Sequence, residues 1–403
     1  MRVAAVVGVL MSLGIAGFAG PAAAGPRETP FAITTPPQGA MDLSADAATS
    51  PGGFVATWTR VDVGGKGNSV RIREYDRAGR AAGPEVVVAA GPSTLGGFSR
   101  VISLGGNRML VTWRDMITLY GAVYDVGTNK VGPKRAIAYS NEQLTDLVTL
   151  ANGNVAVVTS GYKPGTTNYY VTLTILSKTN LAVLRGPTPV HDTSYFGFNT
   201  IGQDYAVARL GNGGVVVRMD RVDGQVYVRR FAANGTFVAK ERRINTTVNQ
   251  SGSLFERVYR NVEAVRLTNG KVFVAWASLE GNAFIDGLEI RGRYLDANGV
   301  PTGAEVHVNA DAKGRQTKPE LVALAGGAVL AGWATERIDA TQETQFRKFA
   351  ATGKGGPVRT LDTNADGAIG LRSDFSLLGD GSVANVFSGP SAVMAEGIPA
   401  KQF

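Results

Sequence analysis

The sequence predicts an all-β chain: a seven-bladed β-propeller of four-stranded antiparallel blades, its ring closed by an N-terminal outer strand. Three observations predict it: an apolar strand that recurs seven times, strong turn signals between strands, and a repeat split between the two ends of the chain. The recurring strand reads Gly53-Phe54-Val55-Ala56-Thr57-Trp58 and returns in copies ending at Trp113, Thr159, Met219, Trp276, Trp333 and Phe387, at intervals of 46 to 60 residues. All 4 tryptophans of the chain close a copy, which chance placement does not produce. Self-similarity at a period of this length marks small sheets stacked in a ring or an array. A β-solenoid has shorter rungs, and β-sandwich domains need about a hundred residues each.

The elements follow in order. Met1-Arg2, an apolar run from Val3 to Phe18, and Pro21-Ala22-Ala23-Ala24-Gly25 form the pattern of a secretory signal cleaved after Ala24. The run falls short of the ~18 to 20 apolar residues of a spanning helix and is broken by Gly8, Gly14 and Gly17. Residues 1–24 are therefore read as the signal and 25–403 as a single propeller domain, secreted or periplasmic, with no membrane span. Arg27 to Thr34 resembles the last strands of other units, such as Glu241 to Thr246, and is expected to complete the final blade. Closure of that kind leaves few exposed sheet edges. The fullest blade runs through Ala264–Leu267, the turn Asn269-Gly270, Val272–Trp276, the alternating strand Leu288–Tyr294, the turn Asp296–Gly299, and Ala304–Val308. Asn-Gly turns between alternating β-branched strands are antiparallel hairpin signals.

Composition narrows the function classes. With 52 Gly and 17 Pro in 403 residues, 44% hydrophobic and 18% charged, the chain is turn-rich and foldable. It has no cysteine, which removes disulfides, thiolate metal sites and cysteine nucleophiles. It lacks a nucleophile elbow, a P-loop and a dinucleotide fingerprint. The net charge of +8 is spread along the chain without a recognition motif, so no nucleic-acid partner is expected; anionic cell-surface polymers fit such a charge at least as well.

The stretch from Ile290 to Gly299, continuing through Gly303 to Asn309 and Pro319 to Leu324 up to Trp333, resembles the propeller-type repeats of bacterial RTX and hemolysin-type secreted proteins. Similar pieces recur at Glu74 to Gly79 and Arg230 to Gly235. The resemblance covers most of the chain, and it implies a scaffold or binding module with no particular reaction. The chain departs from the wider family in lacking tandem Gly-Gly-x-Gly-x-Asp nonapeptides, so calcium-triggered folding does not carry over. It also lacks the Ser-x-Asp-x-Gly-x-x-Trp boxes of sialidase-like propellers.

Ligands of propellers gather where the second-to-third-strand loops and the inter-blade loops meet. There Arg60, Arg114, Arg221 and Arg337 are the candidates for an anion-binding rim, since guanidinium forks suit carboxylate, sulfate or phosphate. Each stands near an Asp or Glu in the sequence, so ordinary ion pairing is the competing reading. Tyr162, Tyr169 and Tyr195 concentrate aromatic faces beside polar groups, as sugar rings require. His191, followed by Asp192, is the better placed of the two histidines for proton transfer, and His307 reads as structural. Asp362, Asn364 and Asp366 match the opening of a calcium loop, but Ser373 stands where a bidentate Glu is expected, and a polar turn is the competing reading. No other cofactor is expected. The leading expectation is a secreted binding module for an extracellular glycan or a protein partner; the alternatives are a polysaccharide-active enzyme, such as a lyase of acidic sugars, and a structural component of a surface assembly.

Overall fold

The computed structural model describes residues 28–62, 67–91, 99–116, 118–139, 146–162, 169–190, 203–220, 225–247, 262–280, 288–310, 314–337, 342–361, 373–389 and 391–403. They form seven antiparallel sheets arranged as a seven-bladed β-propeller. The inner strands are Ala40–Thr49, Arg100–Gly105, Leu147–Thr149, Gln203–Arg209, Val262–Arg266, Arg315–Ala323 and Ser373–Leu377. Each contacts the next, and the seventh contacts the first, so they ring a central axis. The second strands are Gly53–Asp62, Arg108–Asp115, Val155–Tyr162, Gly214–Asp220, Val272–Leu279, Val329–Glu336 and Val383–Ser388. The third are Asn68–Asp76, Thr118–Asp125, Tyr169–Leu176, Val226–Phe231, Leu288–Leu295, Gln342–Phe349 and Val393–Ile398. Outermost lie Val86–Gly91, Arg135–Tyr139, Val183–Pro189, Arg242–Arg243, Pro301–His307, Arg359–Thr360 and, in the seventh blade, the N-terminal Phe31–Ala32.

That last pairing is the expected ring closure. Phe31 lies opposite Ala395 and Ala32 opposite Met394. The Tyr75 hydroxyl of blade 1 donates to the Ile33 carbonyl at 3.0 Å. Phe31 packs over Gly79, whose φ is +75° and where an added Cβ would stand 2.2 Å from the Phe31 ring.

The fold is held between blades. Seven hydrophobic clusters occupy the seven blade-to-blade interfaces, such as Val217, Val226, Ala264, Val274 and Trp276 between blades 4 and 5. A blade presents an apolar face on both sides, so no blade buries its own surface alone. Trp58, Trp113, Trp276 and Trp333 are all fully buried. The turn at Gly299 (φ +75°) rests on the neighbouring blade, with an added Cβ only 2.7 Å from Val215.

One repeat is shifted from the sequence alignment. The tryptophan position of blade 4 is held by Arg218 and not by Met219. The reason is a hairpin one residue shorter: Leu210 N–H bonds to the Gly213 carbonyl, whereas the equivalent Leu267 N–H bonds to Lys271, four residues on. Arg218 therefore faces Tyr227 across the sheet, as Trp276 faces Arg291. Its guanidinium lies 4.4 Å from the centre of the Tyr227 ring, a cation–π contact in the place of the indole.

Candidate functional site

Because strands alternate in direction, the second-to-third connections and the blade-to-blade connections leave from one end of the ring, the loop end. The tight first-to-second and third-to-fourth turns leave from the other, the hairpin end. The charged residues at the two ends are arranged differently.

At the loop end, guanidinium groups are matched with carboxylates. Arg60 grips Asp42 with Nε at 2.6 Å and Nη2 at 2.7 Å, and its Nη1 lies 2.8 Å from Glu85. The Asp42 side chain is 0% exposed and that of Arg60 10%. The hydrogen-bonded Asp42 carboxylate holds the Arg60 guanidinium above its ordinary pKa, against the opposing effect of burial. Arg71, across the sheet from Trp58, pairs with the same Glu85. Arg218 binds Glu241 through Nε at 3.0 Å and Nη2 at 3.1 Å. Arg337 binds Glu343 at 3.0 and 2.8 Å, and Arg315 lies 3.3 Å from Glu336. Arg291 and Glu280 form a further two-pronged pair. Burial alone would raise the Glu280 carboxyl, but Arg291 outweighs it and holds it below the ordinary range.

The sequence-derived candidates divide accordingly. The forks of Arg60 and Arg337 are occupied by carboxylates, and those partners come from across the sheet and not from the adjoining residue. Arg114 is half-buried at the end of the second strand of blade 2, opposite Leu119. Tyr162 and Tyr169 are brought into direct cross-strand register at the loop end of blade 3. Arg221, His191 and Tyr195, and the calcium candidates Asp362, Asn364 and Asp366, lie outside the described residues. Among the described residues no group of three or more acidic or histidine side chains is placed to hold a metal ion. His307 lies at the end of its outer strand, with Nε2 3.0 Å from Glu289.

The sequence reading missed a ring of charge at the axis. Asp46, Arg100, Asp146, Ala206, Glu263, Glu320 and Asp374 occupy one register position on the seven inner strands, opposite Thr57, Thr112, Val158, Val217, Ala275, Gly332 and Val386. Several of them bolt one blade to the next. Asp374 accepts the Ala47 N–H at 2.9 Å, Asp46 the Val101 N–H at 2.7 Å and Asp146 the Val207 N–H at 2.9 Å. Arg100 bridges to Asp146 at 3.0 Å. Burial would depress the Arg100 guanidinium, but Asp46, Asp146, Glu263 and Asp374 together hold it raised. The signal was present: in six blades a charged residue stands four positions before the residue that opens the hairpin.

At the hairpin end Arg80 is paired with Asp76 at 2.8 Å, but two further arginines are not so matched. Arg209 and Arg266 end the inner strands of adjacent blades, each immediately before a hairpin leucine, Leu210 or Leu267. Neither has a carboxylate partner among the described residues. Burial, and then the neighbouring charge of Arg266, push the Arg209 guanidinium below its ordinary pKa. Two like charges held together without a counter-charge stabilise an anion that arrives between them.

Comparison with known proteins supports the fold. No protein-family model and no curated protein matches the sequence. Among solved structures, the β-propeller domain of the Trilobed protease from Pyrococcus furiosus is similar with a TM-score of 0.50 at 10% identity, over 88% of this chain and 95% of that one. The Dos1 propeller gives 0.49 at 9% identity, over 93% and 94%. An α-L-arabinanase of Penicillium chrysogenum complexed with arabinobiose gives 0.48 at 13% identity, over 80% and 98%. At such identities what this chain shares with its structural neighbours is the β-propeller itself.

Proposed function

We propose that the protein is an exported binding module whose ligand is an acidic extracellular glycan. The observation that carries this reading is the uneven distribution of its positive charge. Arg60, Arg218, Arg291 and Arg337 at the loop end are held by carboxylates, whereas Arg209 and Arg266 at the hairpin end have no carboxylate partner among the described residues. Uncompensated guanidinium groups on a rigid ring raise the local concentration of a polyanion and bind it in a salt-dependent manner. The apolar segment before Ala24 and the resemblance to secreted propeller repeats support export.

The test is binding of the protein lacking residues 1–24 to an array of neutral, uronate-rich and sulfated polysaccharides, at about 20 mM and about 200 mM salt. The reading expects binding to the acidic polymers alone, weakened at the higher salt and reduced by Arg209→Ala with Arg266→Ala. Equal binding to neutral polymers at both salts, or no glycan binding, overturns it.

A further inference from the structure

In blade 2 the bridge that blades 1, 4 and 6 make to the third strand with one residue pair, Tyr75–Ala81, Phe231–Phe237 and Phe349–Gly355, is two pairs long. The third strand there pairs with Lys130–Val131 before the outer strand begins at Arg135. The outer strand then shifts register between Ala136 and Ala138. Between this segment and the third-to-fourth turn of blade 3 lies a cleft of about 500 Å³, within the range of ordinary ligand pockets of about 300–1,000 Å³.

Its lining is of two kinds. Val123, Val131 and Leu181 are among the apolar groups of its surface, and Arg108, Lys130 and Arg135 bring three positive charges to it. Arg108 is fixed across the blade boundary by an Nη2 hydrogen bond to the Thr179 carbonyl at 3.2 Å. Lys130 and Arg135 are exposed and have no carboxylate partner among the described residues. The one carboxylate of the lining, Asp125, is engaged by its own turn, accepting the Thr128 N–H at 2.9 Å and the Thr128 hydroxyl at 3.0 Å. Asn180 adds a side-chain amide whose oxygen accepts the Ala182 N–H at 3.1 Å, leaving its NH₂ to donate. Donors thus outnumber acceptors around an apolar surface.

We propose that this cleft between blades 2 and 3 is a binding site for a uronate-bearing oligosaccharide. Guanidinium and ammonium groups take the carboxylates, the Asn180 amide takes a hydroxyl, and the aliphatic surface takes the C–H face of a sugar ring. The assignment rests on the glycan-binding reading above and adds to Arg209 and Arg266 a second contact on the same end of the ring.

The experiment titrates an oligogalacturonate and its methyl-esterified, neutral counterpart by calorimetry at about 20 mM salt. It uses the wild type, the exposed double variant Lys130→Ala/Arg135→Ala and the variant Arg209→Ala/Arg266→Ala. Expected is binding of the acid form about tenfold or more tighter than the ester, and a loss of about tenfold or more in the Lys130/Arg135 variant. Unchanged affinity in that variant while the wild type binds oligogalacturonate overturns the cleft and leaves the glycan reading standing. Failure of the wild type to bind any acidic saccharide overturns both. Binding of poly-glutamate in place of the saccharide, lost in the same variant, overturns the glycan assignment and makes the cleft a site for an acidic peptide.

Discussion

Replacing Asp42 by Ala removes the two Asp42 acceptors of an enclosed guanidinium fork at the loop end. The Arg60–Asp42 contacts are 2.6 and 2.7 Å, with side chains 10% and 0% exposed. A hydrogen bond to a charged group contributes about 1.5–3 kcal/mol net, so the two together are worth roughly 3–6 kcal/mol. Glu85 stays 2.8 Å from Nη1 and keeps part of the charge compensated, which places the expected loss near the lower limit, about 3 kcal/mol. The paired change Asp42→Leu/Arg60→Met removes the buried charge along with its partner and is expected to recover most of that loss. Equilibrium urea unfolding of the wild type, the single and the double variants measures both quantities. A single variant that loses under about 1 kcal/mol refutes the argument. It would mean that Arg60 is not clamped by Asp42 and that its fork is open to a ligand, as its place on the loop end first implied.

Further outcomes follow from other contacts. Trp333→Phe should be more destabilising than Trp276→Phe by about 1 kcal/mol in the same assay, because the Trp333 indole donates to Gln345 at 3.1 Å whereas the equally buried Trp276 indole has no partner among the described residues. Gly79→Ala should expose the N-terminal strand to limited proteolysis, since the new methyl meets the Phe31 ring and the residue is held at φ +75°; an unchanged cleavage rate would show that Phe31–Ala32 does not depend on that contact. Glu305 is pulled up by burial but held below its ordinary value of 4.5 by donors from Thr246 and Thr247. Its contribution is therefore present above pH 4.5 and lost as the pH falls through the depressed folded value. Melting curves should show Glu305→Gln with a flatter acid limb than the wild type below about pH 4.5.

The number of blades, the buried tryptophans, the Asn-Gly and Asp-x-x-Gly turns and the closing N-terminal strand were legible because each is a local pattern that recurs from blade to blade, or the missing piece of one. The partners of the arginines were not. Asp42 is 18 residues from Arg60 and Glu85 is 25, separations set by strand pairing that no short-range pattern records. The blade 4 register escaped because a spacing of nine residues from the hairpin leucine to the large residue fits a four-residue turn, and at Leu210 the turn is shorter by one. The axial charges were missed for a different reason: the repeat was keyed to the second strand, where apolar residues dominate, and the inner strand carries its information in single acidic positions.

In a pseudo-symmetric ring the positions that obey the repeat serve what every blade needs. The axial carboxylates illustrate this, since Asp46, Asp146 and Asp374 each accept the corresponding N–H of the following blade. A ligand contacts one or two blades at a time, so the residues that select it are expected where the repeat is broken. Arg209 and Arg266 of blades 4 and 5 and the exposed Lys130 and Arg135 of blade 2 are not shared by all blades, and none of them has a carboxylate partner among the described residues. Arg60, Arg218, Arg291 and Arg337 at the loop end are each held by a carboxylate, which is why a rim of arginines on one face is a weaker guide to the ligand than basic residues around a cleft.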